Sequence, residues 1–142
     1  MRLFIDASVF FAASYSGTGA ARELFRLAQQ GRVDLVASEV VLEEARRNLL
    51  AKAPMLAPVF EELLQAIPHS VVDATLEQVQ EAATYTVLKD APIVAAAKAA
   101  GADCLVSFDR QHLVESTEVV EASGLVILVP ADVLALLRRR TG

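Results

Sequence analysis

The sequence predicts an α/β protein: a three-layer α/β/α sandwich around a central, mainly parallel, twisted sheet of four to five strands. Three observations carry that prediction. Short runs rich in β-branched and aromatic residues, such as RLFID at 2–6 and VDLVAS at 33–38, alternate with longer runs of helical character. Those intervening runs are long enough to return the chain for parallel crossovers, which bury a sheet on both faces. Apolar residues make up 54% of the chain, yet no uninterrupted stretch reaches the roughly 18 residues a membrane-spanning helix needs.

Taken in order, 2–6 is a strand and GAARELFRLAQQG at 19–31 a helix ended by Gly31, followed by a strand at 33–38. EVVLEEARRNLLAKA at 39–53 is a helix stopped by Pro54, and PVFEELLQAI at 58–67 a helix bounded by Pro58 and Pro68. SVVDA at 70–74 reads as a short strand and LEQVQEAATYTVL at 76–88 as helical. DAPIVAAAKAAG at 90–101 is a helix with Asp90 as N-cap, Pro92 in the first turn and Gly101 beyond its end. DCLVSFD at 103–109 and LVILVP at 125–130 are strands, and ADVLALLRRR at 131–140 closes the chain as a helix.

At 142 residues the expected organisation is one domain, 1–142, able to bury about two-thirds of its unfolded surface. The N-terminus, MRLFIDASVFF, lacks the continuous apolar centre of a signal peptide, so a cytoplasmic location without membrane attachment is expected. A single cysteine, Cys104, forms no internal disulfide and fits buried filler. Net charge is −5, which disfavours a nucleic-acid partner unless several of the acids serve one metal site.

Ligands of parallel sheets collect beyond the carboxyl ends of the strands, and that rule sorts the acids. Asp6 ends the first strand and Asp109 ends CLVSF. Asp90 opens the helix that leads back into that same strand. Ser38 ends the second strand and starts the helix carrying Glu43 and Glu44. Val41, Leu42, Ala45 and Leu49 define the core face of that helix; Glu44 lies roughly 110° from its centre and Glu43 roughly 150°, so Glu44 leans inward. Singly, these residues are ordinary turn, cap or surface acids. Together, Asp6, Glu44, Asp90 and Asp109 would repel one another unless a hard divalent cation, Mg²⁺ or Mn²⁺, took their oxygens as ligands. Such a site suits phosphodiester hydrolysis.

LFIDASVF near the start, SEVVLEEARRNL, LKDAPIVAAAKAAGADCLVSFDRQHL and VILVPADVLALL together resemble a PIN domain over nearly the whole chain. The resemblance implies a metal-dependent endoribonuclease using Mg²⁺ or Mn²⁺ on RNA, with Asp6, Glu44, Asp90 and Asp109 as the four acids. It also implies Ser8 and Ser107 as groups that orient a carboxylate or water. Many small bacterial members are toxins of toxin–antitoxin pairs and often dimeric, so an antitoxin protein and a second copy of the chain are the implied partners. Two positions depart from the family pattern: Ser8 stands where Asn is commoner, and Phe108 where a small or polar residue is frequent. Asp103, on the entry side of its strand, reads as structural.

Arg22, Arg26, Arg46, Arg47 and Arg110 are the candidate RNA contacts, against the ordinary role of a solvated charged face; Arg138 to Arg140 form a basic tail. SGTGA at 16–20 lacks the Gly-Lys-Ser/Thr ending of a phosphate loop and reads as a flexible loop over the acidic edge. His69 and His112 are too few for a histidine metal site. The competing reading is a catalytically weak PIN-like module that binds RNA or protein. A phosphoryl-accepting regulator is disfavoured, because Asp6 is followed by Ala7 and Ser8 rather than by another acid.

Overall fold

The computed structural model describes residues 1–141; Gly142, the last residue of the expected domain, lies outside them. Five strands form one sheet: β1 (Arg2–Ile5), β2 (Asp34–Ala37), β3 (His69–Val71), β4 (Cys104–Val106) and β5 (Ile127–Leu128), in the order β3-β2-β1-β4-β5. Every pairing is parallel. Successive residues of a strand face opposite sides of the sheet. Because Leu3, Phe4, Ile5, Cys104, Leu105 and Val106 are all buried, both faces must be covered by helices.

The helices are α1 (Ala7–Tyr15), α2 (Ala20–Gln29), α3 (Glu39–Lys52), α4 (Ala57–Ala66), α5 (Leu76–Ala82), α6 (Ala91–Ala99), α7 (Thr117–Ser123) and α8 (Pro130–Thr141). Three of them meet through Phe10, whose ring packs edge-on against Phe25 at 5.4 Å and Phe60 at 5.7 Å. That places the ELFRLA and FEELLQAI segments in the core through Phe25 and Phe60. Gly31 and Gly101 sit just past α2 and α6 with φ of 75° and 62°, the left-handed conformation that a side chain disfavours. Asp103 accepts a hydrogen bond from the Arg2 backbone N–H at 2.7 Å, a structural role at the entry side of β4. Cys104 is buried. Among the described residues no helix is long and apolar enough to cross a membrane.

Several local expectations change. Residues 7–15, left unassigned, form α1; this stretch is apolar on nearly every side, so it shows no period to read. The helix expected over 76–88 stops at Ala82, where Thr84 Oγ1 donates to the Glu81 carbonyl at 2.6 Å and competes with continued helical bonding. Asp90 is not an N-cap through its side chain: it ends a 3₁₀ turn, Leu88–Asp90, and already has near-helical backbone angles, so its carboxyl accepts no bond from the start of α6. A π turn at Arg110–Val114 and helix α7 follow β4, neither of them expected. Arg26 ties down the SGTGA stretch, and Arg22 the end of α1 just before it. Arg22 donates twice to the Ala13 carbonyl, and Arg26 donates to the Gly17 carbonyl.

The strand order fixes where a site can form. From β1 the chain moves through β2 and β3 to one side, then returns to β4 and β5 on the other. The crevice between β1 and β4 is therefore the topological switch point, where open parallel sheets bind ligands.

Candidate active site

The register between β1 and β4 pairs Ile5 with Val106. One residue further on, Asp6 therefore comes beside Ser107, and the Asp6 backbone N–H donates to the Val106 carbonyl at 3.1 Å. Asp6 is buried. Its Oδ1 accepts from the Ala7 N–H at 2.7 Å; its Oδ2 accepts from the Ser107 hydroxyl at 2.7 Å and the Ser8 hydroxyl at 3.3 Å. Both hydroxyls also accept: Ser107 Oγ from the Asp109 N–H at 3.0 Å, and Ser8 Oγ from the Phe108 N–H at 3.1 Å. Two serines thus tie the first acid to the backbone that presents the last one.

Asp109 accepts from the His112 N–H at 3.0 Å through Oδ1, closing the π turn, while its Oδ2 lies 3.9 Å from Lys89 Nζ. Asp90 is buried and its Oδ2 has no hydrogen-bond partner. Glu44 is half-buried on α3, whereas Glu43 is exposed, as the helical angles require. Ser38 positions that helix as its N-cap, accepting from the Val41 N–H at 3.2 Å.

Burial and mutual charge raise three of the four acids. Burial pushes the Asp6 carboxyl above its ordinary value, against the Ser107, Ala7 and Ser8 hydrogen bonds, and the Asp109 charge adds to the rise. Burial also raises Glu44, followed by the charge of Asp6, with Arg47 and Lys89 opposing. Asp90 is raised to about 6, first by burial and then by Asp109 and Asp6, against Lys89 and His112. A carboxyl pushed up by burial, and further by its neighbours' charges, is one that a cation would relieve.

The donor set fits a hard divalent cation: carboxylate oxygens only, one of them buried and unpartnered. Among the described residues no group of three or more His, Cys, Asp or Glu side chains is arranged to hold a metal ion. The four carboxylates are thus neighbours in charge, not a closed coordination shell.

Lys89 was not among the expected site residues. Its ammonium acts on Asp109, Glu44 and Asp90 alike, and its place directly before Asp90 was the available signal. The expected RNA-binding arginines are mostly engaged within the chain. Arg22 and Arg26 hold the 13–17 segment, and Arg26 also pairs with Glu23. Arg46 pairs with Glu61 at 2.7 Å and lies over the Phe60 ring. Arg110 lies 3.8 Å from Glu115. Arg47 is exposed and near enough to Glu44 to lower its pKa.

The sequence profile described as PIN domain matches residues 2–111. PAE2754 from Pyrobaculum aerophilum superposes with a TM-score of 0.66 at 19% identity, covering 98% of this chain and 90% of that one. VapBC2 from Rickettsia felis, solved bound to a DNA fragment from their promoter, gives 0.64 at 12% identity, covering 89% and 97%. Mycobacterium tuberculosis VapC20, a toxin that cleaves the sarcin–ricin loop, gives 0.52 at 20% identity, covering 77% and 91%. At such identities the likeness is one of fold. No curated protein matches the sequence at a significant level.

Proposed function

The chain belongs to the PIN domain family, and from that premise we infer that it is a divalent-metal-dependent endoribonuclease. The observation that carries this reading is the Ser107 bridge between Asp6 and Asp109 at the β1/β4 switch point, with Glu44 and Asp90 within reach of the Asp6 charge. Asp6, Glu44, Asp90 and Asp109 would hold Mg²⁺ or Mn²⁺. When bound, such a cation supplies Lewis acidity to the phosphodiester and lowers the pKa of water.

The chain's own groups divide the remaining work. Ser107 and Ser8 fix the rotamer of Asp6, and their charge-assisted hydrogen bonds favour its ionised form against the burial that raises its pKa. Asp90 brings an oxygen that no protein group satisfies. Lys89, exposed and flexible beside Asp109, supplies a positive charge that can move onto a phosphate oxygen when the acids turn to a cation.

The structural neighbours support a toxin of a toxin–antitoxin pair, since one is named VapBC2 and another VapC20, a sarcin–ricin loop cleaving toxin. On this reading the partners are RNA, an antitoxin protein and a second copy of the chain, in the cytoplasm. The reading as a catalytically weak binding module draws on one specific observation: no closed metal-binding cluster among the described residues. Purified protein incubated with RNA and Mg²⁺ or Mn²⁺ decides between them. Cleavage by the wild type and none by Asp6→Asn supports the nuclease, whereas equal cleavage by both removes it. RNA bound but left intact by the wild type favours the module.

A further inference from the structure

Phe108 stands between Ser107, which is fully buried, and Asp109, yet its own side chain is 46% exposed. A phenylalanine left about half exposed forgoes much of the gain of burial, and no other aromatic ring contacts it among the described residues. Its position is nevertheless fixed. The Phe108 N–H donates to Ser8 Oγ, the hydroxyl that also donates to Asp6 Oδ2, and on either side Ser107 and Asp109 are held by the same bridge. A flat apolar ring is thus presented on a clamped backbone, one residue from a candidate catalytic carboxylate.

The electrostatics of the chain leave a gap that such a ring can fill. With a net charge of −5, and with Arg22, Arg26, Arg46 and Arg110 engaged within the chain, phosphate contacts near the site are few. Beside what Lys89 and Arg47 offer a phosphate, contacts to the bases would add affinity for RNA. Aromatic stacking meets that need, because every base has a π-face and the contact does not require a cation.

We propose that Phe108 is a stacking platform for an unpaired nucleobase next to the phosphate held at the acidic edge. The inference rests on the endoribonuclease reading and adds to it a base-recognition site.

The chain contains no tryptophan, so Phe108→Trp provides a single fluorescent reporter at the site. With Ca²⁺ as the oxygen-seeking cation, this variant is titrated with a short oligouridylate and with a sugar–phosphate chain of equal length that lacks bases; the RNA is checked afterwards for integrity on a gel. Quenching by the oligouridylate but not by the baseless chain is expected. Fluorescein-labelled oligouridylate should bind Phe108→Ala about tenfold or more weakly than wild type, while Phe108→Tyr retains binding. Equal binding by wild type and Phe108→Ala, with wild-type RNA cleavage intact, overturns the stacking site and leaves the nuclease reading in place. Failure of the wild type either to bind or to cleave any RNA removes both. Circular dichroism confirms that each variant is folded, and Tyr15→Ala, another exposed aromatic, should bind as wild type does.

Discussion

The Ser107 hydroxyl donates to Asp6 Oδ2 at 2.7 Å across 101 residues of chain while accepting the Asp109 N–H at 3.0 Å. One buried oxygen thus joins the ends of β1 and β4 and sets the spacing of two acids. Ser107→Ala removes the donor to a buried carboxylate and strands a backbone N–H in the same step. Leaving buried partners unsatisfied costs roughly 1–3 kcal/mol, so the midpoint of urea unfolding should fall by about that equivalent. Ser8→Ala should cost less, because its bond to Asp6 is longer at 3.3 Å and only part-buried. Equal midpoints for wild type and Ser107→Ala would show that the bridge does not hold the site together.

Asp90 makes stability depend on pH in a direction that can be worked out. Its carboxyl titrates at about 6 in the folded chain against 3.8 for the ordinary group, so between those values the native state binds more protons than the unfolded one. Its contribution therefore favours folding at low pH and is lost as pH rises through about 6. Without divalent ions, Asp90→Asn should be more stable than wild type at neutral pH, by on the order of 1–2 kcal/mol once the cost of burying the amide is allowed for. Below pH 3.8, where the wild-type carboxyl is protonated folded and unfolded alike, that advantage should be gone and the cost of the buried amide alone remain. Thermal denaturation of both proteins across that range, under EDTA, measures it; a wild type that is the more stable at neutral pH contradicts the assigned environment.

The same two acids show what the sequence made legible. Asp6 and Asp109 were readable because strands of parallel sheets end at one edge, and a strand end can be seen in a run of β-branched residues. Glu44 followed from helical geometry alone, with Glu43 exposed beside it. Asp90 was placed at the right helix for the wrong local reason, since its side chain does not cap. Helix α1 escaped because its nine residues carry no polar stripe. The internal partners of the arginines were hidden for a different reason: Ala13 for Arg22, Gly17 for Arg26 and Glu61 for Arg46 lie nine to fifteen residues away, at distances that helical spacing does not reach. Lys89 depends on the 3₁₀ turn that aims it toward Asp109, which has no sequence period.

Lys89 lowers the pKa of Asp90, being the first of the opposing influences on it, and it lies 3.9 Å from Asp109 Oδ2. Removing its charge should raise Asp90 further. Carboxyl ¹³C titration by NMR should therefore place the Asp90 midpoint in Lys89→Met above the wild-type value of about 6. The side chain is mostly exposed, so screening keeps the change small and sensitive to salt. A midpoint that stays put or moves down would show that the ammonium does not sit over the acids.

Divalent ions test the same cluster from outside. If Asp6, Glu44, Asp90 and Asp109 share a cation, its charge offsets the burial and the lesser repulsion that raise three of them, and Mn²⁺ stabilises the fold by mass action. At a free concentration one hundred times the dissociation constant, that amounts to about 2.7 kcal/mol, a readily measured rise in Tm. The rise should shrink as pH falls below about 6, where Asp90 takes up a proton and competes with the metal for its oxygen. Asp6→Asn should lose most of the rise, because the amide brings no charge to the centre of the cluster. Distant Glu62, exposed on α4, serves as the control, and Glu62→Gln should keep the full Mn²⁺ response. An unchanged Tm for the wild type in saturating Mn²⁺ at neutral pH would mean that the acids meet without sharing an ion, and the binding-module reading would take the place of catalysis.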